Sequence, residues 1–211
     1  MMVVLFVHGL GRSPRSGWPL LRRLRQGGLK TETFGYIAAI EGFEAIVGRL
    51  RRRLEGLAQV GPYLVVGHSL GGVLLRAAIN SLPQGVVPPE QVYLLGSPLR
   101  PPRLATRLKD NPVFRLLAGD CGQVLGSAER MGQVGPLHLP TTAIVGVRGL
   151  TGPLSPFGQE VNDSLVSLSE VSAEWLLDQV PVPIVHTLLP SRVAIADIIL
   201  DRLAAQGGLG E

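Results

Sequence analysis

Tyr63-Leu64-Val65-Val66-Gly67-His68-Ser69-Leu70-Gly71-Gly72-Val73-Leu74-Leu75-Arg76-Ala77-Ala78-Ile79 is the stretch whose reading decides the fold. The apolar run Tyr63 to Val66 reads as a strand buried on both faces, and Gly72 to Ile79 reads as a helix. Between them stands Gly67-x-Ser69-x-Gly71. A serine on a tight turn from strand to helix is lifted above the sheet edge, where a base and a substrate can reach its hydroxyl. Glycine is needed on either side, because a Cβ there would meet the adjoining strand and helix. Without the strand and the helix the pentapeptide would carry little weight.

Outward from this stretch, short apolar runs alternate with helical patterns. Val3 to Val7, Gln91 to Leu95 and Thr141 to Val147 read as buried strands, with Thr31 to Tyr36 and Val182 to Val185 as weaker ones. Helical periodicity runs near Trp18 to Gln26, over Phe43 to Gln59 and through Val193, Ala196, Ile199, Leu200 and Leu203. Ser191 suits the N-cap of that last helix and Gly207-Gly208 its stop. Alternation of this kind predicts an α/β fold, a mostly parallel sheet with helices on both faces. Ligands in such sheets bind beyond the carboxyl ends of the strands, where Ser69 sits.

With 211 residues, 45% of them hydrophobic and 17% charged, the chain suits one domain over 1–211 and excludes a disordered tail protein. The net charge of +4 comes almost wholly from arginine. Arg51-Arg52-Arg53 falls in a helical pattern whose apolar face is Phe43, Ile46, Val47, Leu50, Leu54 and Leu57, so its arginines point mostly into water. No nucleic-acid motif or interleaved aromatics accompany it, and no nucleic-acid partner is expected. Peripheral contact with an anionic membrane surface remains compatible with the charge. Cys121 is the only cysteine, which excludes an internal disulfide and thiolate metal clusters. The apolar N-terminus lacks a basic leader region and is too short to span a bilayer. A soluble, cytoplasmic protein is the expectation.

A serine hydroxyl needs a base to take its proton, and the base needs an orienting carboxylate. In this architecture the partners follow in the order serine, acid, histidine. His138 and His186 follow Ser69; His138 lies just ahead of a strand, whereas His186 follows one and precedes the last helix. His186 is therefore the candidate base. Asp163 follows the strand at Thr141 and precedes His186; Asp120 comes before that strand, and Asp178 reads as a solvated residue of a helical segment with Trp175, Leu176 and Leu177. Asp163 is the candidate acid, the alternative being a plain Asx turn. The developing oxyanion calls for two backbone N–H donors, expected from Leu70 after the serine and Leu10 in His8-Gly9-Leu10-Gly11. His8 reads as a brace for its loop, and His68 as a packing residue.

On these residues the chain resembles the α/β-hydrolase superfamily, and within it the small bacterial serine lipases and esterases. Val7-His8-Gly9-Leu10 is similar to that group's oxyanion loop, Gly67 to Gly72 to its nucleophile elbow, and Gly96-Ser97-Pro98 to its Gly-Thr-Pro turn. Asn162-Asp163-Ser164-Leu165-Val166-Ser167 is similar to its Asn-Asp-Gly-Leu-Val-Ser acid motif, with Ser164 in place of glycine, and Val185-His186-Thr187 to its histidine before the last helix. The resemblance spans nearly the whole chain. It implies a serine hydrolase cleaving carboxylic esters through an acyl-enzyme on Ser69, with His186 as base, Asp163 as orienter and no metal or organic cofactor. The substrate it implies is a small-molecule or lipid ester. An acyltransferase using the same residues and a non-catalytic binding protein are the rival readings. A lid or cap is expected within 99–140, and Leu150, Leu154 and Phe157 in 149–160 are expected to wall the substrate's access.

Overall fold

The structure, a computed structural model, describes residues 1–205. The apolar runs form six strands: β1 (Val3–Val7), β2 (Lys30–Phe34), β3 (Tyr63–His68), β4 (Gln91–Leu95), β5 (Thr141–Gly146) and β6 (Asp178–Val182). Every pairing is parallel, in the order β2-β1-β3-β4-β5-β6. Parallel strands need long crossovers, and the helices α1 (Trp18–Gln26), α2 (Phe43–Val60), α3 (Leu70–Asn80), α4 (Arg103–Leu108), α5 (Pro112–Leu125), α6 (Ala128–Val134) and α7 (Val193–Ala205) supply most of them.

Alternation along each central strand feeds two cores. Val3, Leu5 and Val7 pack with α2, α3, α5 and α6 on one face, while Val4 and Phe6 pack with α1 and α7 on the other. Both faces are therefore dry, which is why these strands are apolar without interruption. Each fully buried aliphatic side chain contributes about 1.5–3 kcal/mol. The apolar stripe of α2 is buried as its periodicity predicts, at Phe43, Ile46, Val47, Leu50, Leu54 and Leu57.

The sheet's order reverses beside β1, whose neighbours are β2 and β3. Loops leaving β1 and β3 depart to opposite faces there and open a crevice at the carboxyl edge. His8-Gly9-Leu10 follows β1 and Ser69 follows β3, with Val7 paired to Gly67. The topology thus brings the two loops together before any side chain acts.

Three local expectations change. The last strand is β6 at Asp178–Val182, earlier than Val182 to Val185. Asp178 opens this strand and pairs with Arg202 of α7, so it is no solvated helix residue. The reason is position: β6 is an edge strand, which needs no continuous apolar run and accepts Pro181 because one side of its backbone has no ladder partner. Ser191 ends a short 3-10 turn with its hydroxyl on the Leu188 carbonyl, and α7 starts at Val193. Gly207-Gly208 lie outside the described residues.

Candidate active site

Ser69 sits between β3 and α3 with φ 53° and ψ −124°, a left-handed backbone that costs a non-glycine residue of order 1–3 kcal/mol. Close packing holds it there. A Cβ on Gly67 would lie 2.5 Å from the Gly72 Cα, and one on Gly71 would lie 2.2 Å from the Val7 carbonyl oxygen. The Ser69 amide donates to the Leu95 carbonyl at 2.9 Å, and the Ser97 hydroxyl donates to the Ser69 carbonyl at 2.7 Å. The end of β4 therefore anchors the turn from both sides.

Asp163 and His186 meet above the ends of β4 and β5. His186 Nδ1 lies 2.6 Å from Asp163 Oδ2, and both side chains are almost wholly buried. The other oxygen, Oδ1, accepts from the Leu165 and Val166 amides at 3.0 and 2.9 Å. The carboxylate is thus satisfied on both oxygens, and its Asx turn coexists with the histidine contact. A backbone bond from His186 N to Asp163 O at 2.9 Å ties the two loops independently of their side chains. Ser164 follows with φ 88°, its amide donating to Asn162 Oδ1 at 2.9 Å.

Ser69 and His186 share the wall of a cavity of about 160 Å³ with Leu10, Leu104, Leu108, Phe114, Leu125 and Val166. Its lining is almost entirely apolar. Leu70 is the first residue of α3, where first-turn N–H groups have no intrahelical acceptor. Leu10, in the loop after β1, lines the cavity.

The other histidines and the other two candidate aspartates take no part in the Asp163–His186 side-chain contact. His8 stacks flat on Tyr36, ring centroids 4.3 Å apart, with Nδ1 donating to the Gly9 carbonyl at 2.9 Å. Burial lowers its pKa. His68 is buried behind the turn and its Nε2 donates to the His186 carbonyl at 3.1 Å, so it does more than fill space. Burial, followed by the neighbouring His186, holds its pKa well below the ordinary histidine range. His138 is exposed ahead of β5. Asp120 accepts from Arg130 at 2.6 Å and from the Phe43 amide at 2.9 Å, and the Arg130 bond in the first place depresses its pKa. Asp178 is likewise depressed by Arg202. Among the described residues no group of three or more His, Cys, Asp or Glu side chains is set to hold a metal ion.

The segment from Leu99 to Pro140 folds as α4, α5 and α6, and the first two roof the cavity. The expected wall of Leu150, Leu154 and Phe157 does not reach it. Those residues line a separate depression with Ser164, because Phe157 turns inward beneath the Arg103 guanidinium while Leu150 and Leu154 project outward. Arg103 in turn bonds Glu160 and reaches Glu170 at 3.5 Å. Burial works to raise the Glu160 pKa, but hydrogen bonds from Ser169 and Arg103 bring it down to about 2.

Gly96 and Asn162 stand in motifs quoted from the sequence, but their supporting roles, and Glu170 altogether, escape sequence reasoning. Gly96 has φ 53°, and a Cβ there would lie 3.0 Å from His186 Nδ1 and 3.1 Å from Asp163 Oδ2. Asn162 donates to the Leu150 and Glu160 carbonyls, pinning the acid loop. Glu170 is buried, accepting from the Arg103 and Ser167 amides at 2.7 and 2.9 Å. The Ser167-x-x-Glu170 spacing was its one legible signal, a capping box.

The parallel sheet, its order and the serine turn define an α/β-hydrolase fold. The mature Bacillus licheniformis lipase BlEst2 is similar over 95% of this chain and 90% of its own, at 17% identity and a TM-score of 0.76. The RedJ thioesterase of the Streptomyces coelicolor prodiginine pathway matches over 97% and 86%, at 17% identity and a TM-score of 0.59. The B. subtilis ydeN gene product matches over 97% and 100%, at 14% identity and a TM-score of 0.65. The sequence matches no protein-family profile and no curated protein. The chain has the α/β-hydrolase fold.

Proposed function

We propose that the protein is a serine hydrolase of carboxylic esters, with Ser69 as nucleophile, His186 as base and Asp163 as orienter. One observation carries the reading. The left-handed turn at Ser69 opens into an apolar cavity whose wall includes His186, and His186 Nδ1 lies 2.6 Å from a buried carboxylate. Ser69 Oγ attacks the ester carbonyl while His186 Nε2 takes its proton. Asp163 accepts from Nδ1–H, which fixes the ring and stabilises the imidazolium. The Leu10 and Leu70 amides receive the oxyanion, each worth roughly 10²–10³ in rate. His186 returns the proton to the departing alcohol, leaving an acyl-enzyme. Water, activated by His186, then attacks that ester, and the acid leaves with Ser69 restored.

Cavity size supports a preference among substrates. An apolar hole of about 150 Å³ holds a benzene ring, so the 160 Å³ here suits an acyl chain of similar bulk. Helices α4 and α5 would act as the cap that shapes entry. The fold's likeness to a lipase and a thioesterase supports acyl transfer to water in general, while the cavity favours short and medium esters. The test is a p-nitrophenyl ester series from acetate to palmitate beside Ser69→Ala. Turnover should peak at short to medium chains and fall by at least ~10⁴ in the variant. Failure of a fluorophosphonate to label Ser69 would overturn the reading.

A further inference from the structure

Because every strand is parallel, all loops that follow strands end at one edge of the sheet, the edge holding Ser69. The large apolar side chains left exposed are distributed unevenly about it. Leu108, Val113, Leu116, Leu117, Leu150 and Leu154 all belong to segments after β4 or β5, and Leu154 is 101% exposed. At the opposite edge, among the described residues, only Met1, Val60, Val87 and Leu177 are comparably bare.

Cations without an ion pair gather on the same edge, and others, Arg22, Arg25 and Arg52, lie along α1 and α2. Arg12, Arg107, Lys109, Arg115, Arg148 and Arg192 lie in the loops and the α4–α5 segment that follow strands, and none makes an ion pair among the described residues. Most carboxylates in the segments after β4 and β5 are already engaged: Glu160 and Glu170 by Arg103, Asp120 by Arg130 and Asp163 by His186, while Asp110 and Glu129 make no ion pair among the described residues. Unpaired Glu90, Glu174 and Asp201 sit away from that edge, Glu90 immediately ahead of β4, Glu174 four residues ahead of β6 and Asp201 toward the far end of α7.

Helices α4 and α5 concentrate both properties. Their inner side lines the cavity through Leu104, Leu108 and Phe114, and their outer side presents Val113, Leu116 and Leu117 with Arg107, Lys109 and Arg115 alongside. Apolar residues in contact with water, fringed by cations and set over a cavity, match the boundary of a bilayer with anionic headgroups. A free acidic protein would complement the cations but would need an apolar patch of its own to cover the leucines.

We infer that the Ser69 edge is a docking face for an anionic phospholipid bilayer, with the outer side of α4–α5 inserting its leucines and Arg107, Lys109 and Arg115 engaging headgroup phosphates. Docking would set the cavity mouth against the source of an ester substrate, so the inference deepens the ester-hydrolase reading and rests on it for purpose alone. The surface itself does not depend on catalysis. No described helix is long and apolar enough to cross a membrane, so attachment would be peripheral.

Sedimentation of the full chain with vesicles of phosphatidylcholine, alone or with 30% phosphatidylglycerol, tests this at ~0.15 M salt. Binding to the anionic vesicles should exceed binding to neutral ones at least tenfold and fall as salt rises. Each cation near the surface is worth about fivefold, so Arg107→Ala/Lys109→Ala/Arg115→Ala should weaken partitioning by about a hundredfold. Leu116→Asn/Leu117→Asn should weaken it at all salt concentrations. Both variants should hydrolyse a dissolved short-chain ester at the wild-type rate, and Ser69→Ala should bind vesicles normally. Vesicle binding by a wild-type chain that hydrolyses none of the esters would sink the hydrolase reading and leave the docking face standing. Equal binding to both vesicle types, or binding unaffected by either variant, would overturn the inference. So would a dimer that Leu116→Asn/Leu117→Asn dissolves without any vesicle binding, or preferential capture of an acidic carrier protein.

Discussion

Replacing Gly71 by alanine tests how the elbow is held. The new methyl would lie 2.2 Å from the Val7 carbonyl oxygen and 2.5 Å from that of His8. Carbon and carbonyl oxygen ordinarily approach no closer than about 3.3 Å, so roughly 1 Å must be found. Neither obstacle is a flexible side chain. Val7 belongs to β1, which is paired on both sides, so α3 has to retreat from the sheet. Overpacking of this kind costs about 1–3 kcal/mol, and backbone resistance places it near 3. For a chain of this size that lowers Tm by about 6–12 °C. Retreat of α3 also displaces the Leu70 amide proposed to receive the oxyanion, and a 1 Å misplacement costs about 10² in rate. Urea unfolding followed by tryptophan fluorescence and hydrolysis of p-nitrophenyl butyrate would read the two effects. Gly56→Ala in α2 is the control: nothing lies within 4 Å of its Cβ, and it should stabilise by about 0.5–1 kcal/mol. Wild-type stability and turnover in Gly71→Ala would refute the reasoning.

Two further outcomes follow from the backbone and from buried histidines. Ser164→Gly removes a side chain from a residue at φ 88°; relief of about 1–2 kcal/mol less a glycine entropy cost of about 0.5–1 should leave the variant slightly more stable in urea, with activity kept. A lower midpoint would show that Ser164 is not strained. His8 and His68 have pKa values lowered by burial, so below about pH 6.5 the unfolded chain binds more protons than the folded one. Stability should therefore be full above pH 6.5 and decline as pH falls toward the lowered values, by up to about 1.4 kcal/mol per unit for each histidine. Unfolding midpoints that stay level from pH 6.5 to 5 would count against this.

Legibility in the sequence tracks burial. β1, β3, β4 and β5 lie between two layers of helices, so their apolar runs announce them and even their ends read closely. β2 and β6 are edges, and half-exposed polar residues such as Thr31 and Gln179 blur their limits. Asp163 and His186 could be singled out because each follows a strand, and parallel topology sends those loops to a common edge. What sustains them is harder to see. Arg76 gives no warning in Leu75-Arg76-Ala77, yet it is buried with its guanidinium bonded to the Pro98 and Gly135 carbonyls and lying 5.5 Å from the Trp175 ring. Burial lowers its pKa to about 10. Its partners come from distant loops, which no local pattern encodes. Phe157 misleads for the same reason, since only the tertiary placement of Arg103 and Glu160 turns its ring inward.

The two borders of the sheet bear on how the protein behaves at high concentration. An unpaired strand offers a template for strand addition between chains, and charge or proline on it blocks that route. β2 carries Lys30 and Glu32, the latter also held by Arg53 of α2, and β6 carries Asp178 and Pro181. Strand-to-strand polymerisation is therefore disfavoured at both borders.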